Sequence, residues 1–296
     1  MEIRPDYYDN FKCIAERCQH NCCIGWEIDI DDDTLKKYNT QTGEIGAKLQ
    51  KSIALEPCAH FILGENERCP FLNDKNLCEL ILVGGEEMLC QICKDHPRFY
   101  NDLYGITEKG IGLSCEAAAE IILTKTAPTT FVCDMGAMPQ NDFYKRRSEI
   151  FAILQDRNLP LTKRIKNLLA SENISLDLGR VNWLSTYKNL ERLDDKWDEY
   201  LDNTTQISDL IPTALETPCE QLICYFIYRH LSGALYDDMF SERLQFALLS
   251  CYVIVSVCKT KTLKELVDIA RMYSSEIEYS DENIEILLQK LLEYNS

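Results

Sequence analysis

Beyond residue 140 the chain is patterned at helical spacing almost without interruption. Residues 142–155 bring Phe143, Ile150, Phe151 and Leu154 to one face, and stretches 161–169, 181–201, 219–236, 241–258, 263–273 and 282–292 repeat the period. Pro160, Pro212 and Pro218 stand near helix starts, where a missing N–H costs little. No alternating run of strand type rivals these helices. The most apolar stretch, 244–258, is about four turns long and carries Gln245. It falls short of the ~20 residues a membrane span requires, so it predicts a buried helix and no membrane insertion.

The first 140 residues read differently. Short apolar pieces at 61–63 and 80–83 suit either a strand or a turn of helix. Clear helices are confined to 115–125, with Ser114 as its N-cap, and to 31–38, an acidic start followed by lysines. Breakers between Pro128 and Pro139 divide the chain into parts 1–135 and 136–296. The fold class this predicts is mainly α, with an irregular cysteine-rich metal-binding N-terminal part packed on an all-helical C-terminal part.

Charge narrows the partners. Lys and Arg number 31 against 48 Asp and Glu, and residues 1–140 alone carry 13 against 23. Neither half is basic, which excludes nucleic acid as the expected partner. The start MEIRPDYYDNFKC has early charges and no apolar core, so no secretory signal is read there and a cytoplasmic location is expected. In that compartment the 15 cysteines are thiols or metal ligands rather than disulfides.

Eleven of the 15 lie in residues 1–135. Cys13, Cys18, Cys22 and Cys23 form the densest group, Cys69 opens C-P-F-L, Cys78 ends N-L-C, Cys90 and Cys93 make C-Q-I-C, and Cys115 closes G-L-S-C. Thiolates are polarisable and lose their proton to a soft or borderline ion, which points to zinc or iron–sulfur. Spacing does not choose between them. On a helix Cys18 and Cys22 would share a face, whereas adjacent Cys22 and Cys23 would point apart and serve different centres. His20, His60 and His96 lie near cysteines as substitute ligands, and Cys58 and Cys133 stand apart as spares. Cys219, Cys224, Cys251 and Cys258 sit at helical core positions and read as buried hydrophobes.

The run RPDYYDNFKC (4–13), C-x-x-x-C-C-x-G-W (18–26), CPFLNDKNLCEL (69–80), GEEMLCQICKDHPR (85–98) and LSCEAAAEIIL (113–123) together resemble the flagellin lysine N-methylase family. The cysteine part also looks like the broader group of small zinc- or iron-chelating domains. The resemblance implies a methyltransferase that moves methyl groups from S-adenosylmethionine to lysines of flagellin or a similar surface protein. It also implies a [4Fe–4S] cluster held among Cys13, Cys18, Cys22, Cys23, Cys69, Cys78, Cys93 and Cys115, with Cys90 beside them; zinc is the alternative metal. Glu116 and His96 depart from the family's pattern without removing a thiol.

No βα pattern of an α/β domain with a G-x-G loop is read here to bind the donor in the usual way, and Gly25 stands where a radical S-adenosylmethionine motif would place its third cysteine. A cluster in a methyltransferase of this kind would therefore meet the donor through an open iron. Asp29, Asp31, Glu86 and Glu87 are candidates to attract a lysine or simply surface charges, and Arg98 is a carboxylate clamp or an internal ion pair. Tyr225 and Tyr228 line a cleft or pack as a helix face. The competing class is a non-enzymatic zinc- or iron-chelating protein-interaction module. Oligomeric state is not legible.

Overall fold

A computed structural model describes all 296 residues. About 54% of the chain is helical, and the fold is mainly α. The chain folds into two compact units, Lys12–Phe99 and a second made of Met1–Phe11 with Tyr100–Ser296. This division falls away from the 135/136 boundary read from the cysteine distribution. The reason lies in pairing: strand β1 (Glu2–Pro5) joins strands that come a hundred residues later.

After β1 the chain enters the Lys12–Phe99 unit, which contains α1 (Asp32–Asn39), α2 (Gly43–Ser52), the short strands β2 (Ile53–Ala54) and β3 (His60–Phe61), α3 (Glu79–Gly84) and α4 (Gln91–Asp95). The two apolar pieces left open by sequence thus become a strand and a helix respectively. Ile28, Ile30, Tyr38, Leu49, Phe61, Phe71, Leu72, Leu80 and Met88 form its core together with Cys69 and Cys90. Phe61 stands at its centre, 6.0 Å from the Tyr38 ring and 5.0 Å from Phe71.

The remaining strands are β4 (Arg98–Leu103) and β5 (Ile106–Ile111); then follow α5 (Glu116–Leu123) and β6 (Phe131–Cys133). The sheet order is β4-β5-β1-β6, with β1 parallel to β5 and antiparallel to β6. Tyr104 (φ 50°) and Gly105 (φ 87°) make the two-residue turn between β4 and β5, both in the left-handed region that such a turn demands.

From Asp142 onward every regular element is helical. These are α6 (Asp142–Leu154), α7 (Leu161–Ser171), α8 (Trp183–Lys188), α9 (Asp195–Asp202), α10 (Glu216–His230), α11 (Ala234–Asp237), α12 (Phe240–Val257), α13 (Leu263–Tyr273) and α14 (Asp281–Asn295), with a π-turn at Ser274–Glu278. The single long helix expected over 181–201 is instead α8 and α9. Asn283 takes the N–H of Glu191 (2.9 Å) and donates to its carbonyl (3.0 Å), while Glu276 accepts the Leu193 N–H (2.9 Å), so distant side chains hold the linker out of the helix.

The apolar stretch at 244–258 lies in α12, a helix long and apolar enough to cross a membrane, most of which is buried inside the protein. Cys219, Cys224, Cys251 and Cys258 are all buried, as their helical positions predicted. Ser114 does not cap α5. Cys115 occupies the N-cap position without a side-chain bond, and the Ser114 Oγ is buried without a partner.

Candidate metal centre

Local contacts in the Lys12–Phe99 unit converge on the cysteines. Asp31 caps α1 by accepting the Thr34 N–H (3.0 Å), and its other oxygen accepts the N–H of Gln91 (2.8 Å), the first residue of α4. One carboxylate therefore sets the start of both helices. Cys90 is the N-cap of α4 and Cys93 lies within it, their Sγ atoms 3.4 Å apart. The approach to Cys90 is fixed by Tyr38, whose hydroxyl donates to Met88 O (2.7 Å), and by Lys37, which donates to Glu87 O.

Cys69 and Cys78 are brought together by a loop that Arg68 closes. Its guanidinium donates to Leu72 O (3.3 Å), Asn73 O (2.5 Å) and Asn76 Oδ1 (3.0 Å), and Leu72 pairs with Cys78 in a β-bridge. The Cys69 N–H donates to Cys23 O at 2.8 Å, which ties the first cysteine group to this loop. Cys22 and Cys23 lie in a turn that Asn21 closes by accepting the Cys23 N–H (2.9 Å).

That turn changes two expectations. Cys18 follows the short turn Ala15–Arg17 and does not share a helix with Cys22. Because Cys22 and Cys23 are in neither helix nor strand, they do not point apart: their thiols are hydrogen-bonded.

Six thiols share this neighbourhood. Cys69 and Cys90 are buried in the core, Cys23, Cys78 and Cys93 pack against it, and Cys22 reaches it through Cys23. The Cys23 hydrogen bond, assisted by a bond and a charge from His96, draws the Cys22 thiol down to about 4, while the same bond and burial push Cys23 up. Cys90 is lowered by its bond from Cys93, and Cys93 is raised by that bond and by burial. Burial lifts Cys69 to about 11 and also raises Cys78; each feels the charge of Cys90. Each bonded pair thus shares a proton that a soft metal would displace. In donor chemistry the set fits zinc or an iron–sulfur cluster. No group of three or more His, Cys, Asp or Glu side chains is arranged to hold an ion, so the thiols are paired neighbours and not a closed coordination set.

Cys13, Cys18 and Cys115 are not among the thiols packed in or against that core. Cys13 is exposed and its Sγ accepts the Ala15 N–H (3.4 Å) within its own turn. Cys18 is half-buried at the end of the next turn. Cys115 belongs to the other compact unit. Arg98 donates to Lys94 O at 3.2 Å.

The helical unit holds a buried polar network that periodicity did not reveal. Glu278, on the π-turn, accepts from the Tyr225 hydroxyl (3.0 Å) and pairs with Arg229 (3.3 Å) and His230 (2.6 Å). Tyr225 in turn accepts the Leu113 N–H (3.2 Å), and the Tyr228 hydroxyl donates to Ile3 O (2.9 Å). Both tyrosines are buried within their unit. The available signal was the charged pair Arg229–His230 following an apolar, aromatic helix face.

Residues 166–296, most of the helical unit, match the FliB lysine N-methylase C-terminal domain. Over part of its length the chain is thus similar to lysine N-methylases. Among curated relatives, it is 27% identical over 126 residues to the flagellar biosynthetic protein FliU of Salmonella muenchen, covering 40% of this chain and 75% of that protein. The lysine-N-methylases of Salmonella choleraesuis and Salmonella typhimurium are likewise 27% identical over 126 residues, again 40% of this chain but 31% of their own length. The match thus spans under a third of either methylase. No solved structure matches.

Proposed function

We propose that the protein is an S-adenosylmethionine-dependent protein-lysine N-methyltransferase acting in the cytoplasm on flagellin or a similar surface protein. The observation that carries this reading is the family match of residues 166–296, in a chain whose other unit packs five thiols in or against one core, with Cys22 bonded to one of them. Three of Cys22, Cys23, Cys69, Cys78, Cys90 and Cys93 would supply the ligands of a [4Fe–4S] cluster. When bound, such a cluster with one iron free of protein ligands supplies a Lewis-acid position for the donor's amino and carboxylate groups.

In the transfer a lysine ε-nitrogen gains a methyl group as the donor's S–CH3 bond breaks, leaving S-adenosylhomocysteine and one proton. The amine must lose its proton before it attacks, and alignment of nitrogen, carbon and sulfur accounts for much of the rate. Asp31, Tyr38 and Arg68 contribute by holding the cysteine loops in place, which fixes the thiols before any metal arrives.

Anaerobic purification with metal analysis and an absorption spectrum tests the cluster. A colourless protein with stoichiometric zinc and no iron would sink it. Incubation with labelled S-adenosylmethionine and flagellin, read by mass spectrometry, tests the activity. Absence of methyl-lysine from protein loaded with metal would instead support a metal-chelating interaction module.

A further inference from the structure

A second group of donors lies outside the thiol core. Residues 27–30 alternate exposed, buried, exposed, buried, with Ile28 and Ile30 in the core. Across from them, Ala59 and Phe61 also pack inward. The two segments are joined by an antiparallel bridge between Asp29 and His60, flanked by Phe61 N–H to Ile28 O (3.1 Å) and Ile30 N–H to Ala59 O (2.7 Å). Strand alternation therefore turns Glu27, Asp29, Cys58 and His60 to the one outward face. In a pair of this kind, opposed side chains start about 5 Å apart.

Contacts join the four side chains as two neighbouring pairs. The Cys58 Sγ lies 3.4 Å from Asp29 Oδ1. The His60 Nδ1 lies 2.9 Å from Cys58 O, and since a carbonyl only accepts, Nδ1 carries the proton. In the neutral ring Nε2 then presents its lone pair, 4.0 Å from Glu27 Oε1. A ring N–H held by a backbone carbonyl is the usual means of orienting a metal-binding histidine. Neither carboxylate is paired with a lysine or arginine.

We propose that Glu27, Asp29, Cys58 and His60 form a metal site, separate from the thiol core, for a zinc-like divalent cation. A thiolate, an imidazole and two carboxylates suit a borderline ion in tetrahedral coordination. As they stand, the four side chains are not closed on one point. Three of them are exposed, and closure on an ion would proceed through their rotamer changes, which take picoseconds to nanoseconds at a surface. A bound ion would clip segment 27–29 to segment 58–60. The site does not depend on the methylase reading.

The test uses the full chain, stripped of metal by chelator and titrated with zinc, with alkylation followed cysteine by cysteine by mass spectrometry. Zinc is expected to slow Cys58 alkylation about tenfold or more. An Asp29→Asn/His60→Asn variant should lose that protection while zinc still protects Cys90. A Cys58→Ser variant should bind one zinc fewer per chain than the parent. Unprotected Cys58 in the parent, protection that survives in the double variant, or an unchanged zinc count in Cys58→Ser would each overturn the proposal.

Discussion

Asp31 shows how a single side chain can organise a centre it does not join. Its carboxyl is raised by burial but lowered more strongly by the Gln91 and Thr34 N–H groups, and it stays below its ordinary value. Asp31→Ala removes both caps at once. The expected loss is about 1–2 kcal/mol in urea unfolding of the Lys12–Phe99 unit, with Asp31→Asn milder because one amide oxygen still accepts. A loss within a few tenths of a kcal/mol would mean that α1 and α4 start correctly without it. Thiols divide in the same way at this scale. Cys22→Ser breaks the bonded pair with Cys23 and should lower iron content after reconstitution, whereas Cys13→Ser, on an exposed turn, should leave it unchanged. A Cys22→Ser protein with full iron would remove that thiol from the ligand set.

At the scale of elements, what was legible in the sequence was whatever depends on near neighbours. Apolar periodicity located Leu263–Tyr273 and the helices around 142–155 and 241–258 to within a few residues, because each buries a face set by its own spacing. The break between α8 and α9 was not legible. Residues 189–194 contain neither Gly nor Pro, and the groups that hold them out of a helix, Asn283 and Glu276, are more than eighty positions away.

The pairing of Cys22 with Cys23 was hidden for a related reason, since it depends on a turn and not on the periodic structure that separates adjacent side chains. Helix α12 allows a direct check of burial. Leu248 is fully buried there, so Leu248→Ala should destabilise the helical unit by about 2–5 kcal/mol in thermal or urea unfolding. A near-neutral effect would mean that the apolar face is not core.

For the molecule as a whole, the two compact units are built on different chemistry and should respond to different conditions. The Lys12–Phe99 unit mixes thiols into its core, and a metal that binds only the folded form adds stability there by mass action. The helical unit buries a charged group at Glu278. Burial pushes that carboxyl up, but Arg229 and His230 outweigh it and hold it below the ordinary carboxylate range; burial also lowers His230. The signs agree. Below pH ~6.5 the unfolded chain protonates His230 more readily than the folded one, so stability falls as pH drops. Glu278 adds stability above its ordinary pKa of ~4.5, and this is lost as pH falls through its lower folded value.

Hydrogen exchange measured on both units should therefore separate the two effects. Chelator should loosen amides of the Lys12–Phe99 unit and leave α10 and α13 protected. Acidification from about pH 7 to 5 should loosen α10 and the π-turn even in metal-loaded protein. Glu278→Gln, which removes the carboxylate that Arg229 and His230 share, should cost about 3–5 kcal/mol at neutral pH; because that carboxylate raises His230, the loss of stability between pH 7 and 5 should not become smaller in the variant. Protection in α10 that stays constant across that pH range would show that the buried network does not govern the acid stability of the helical unit.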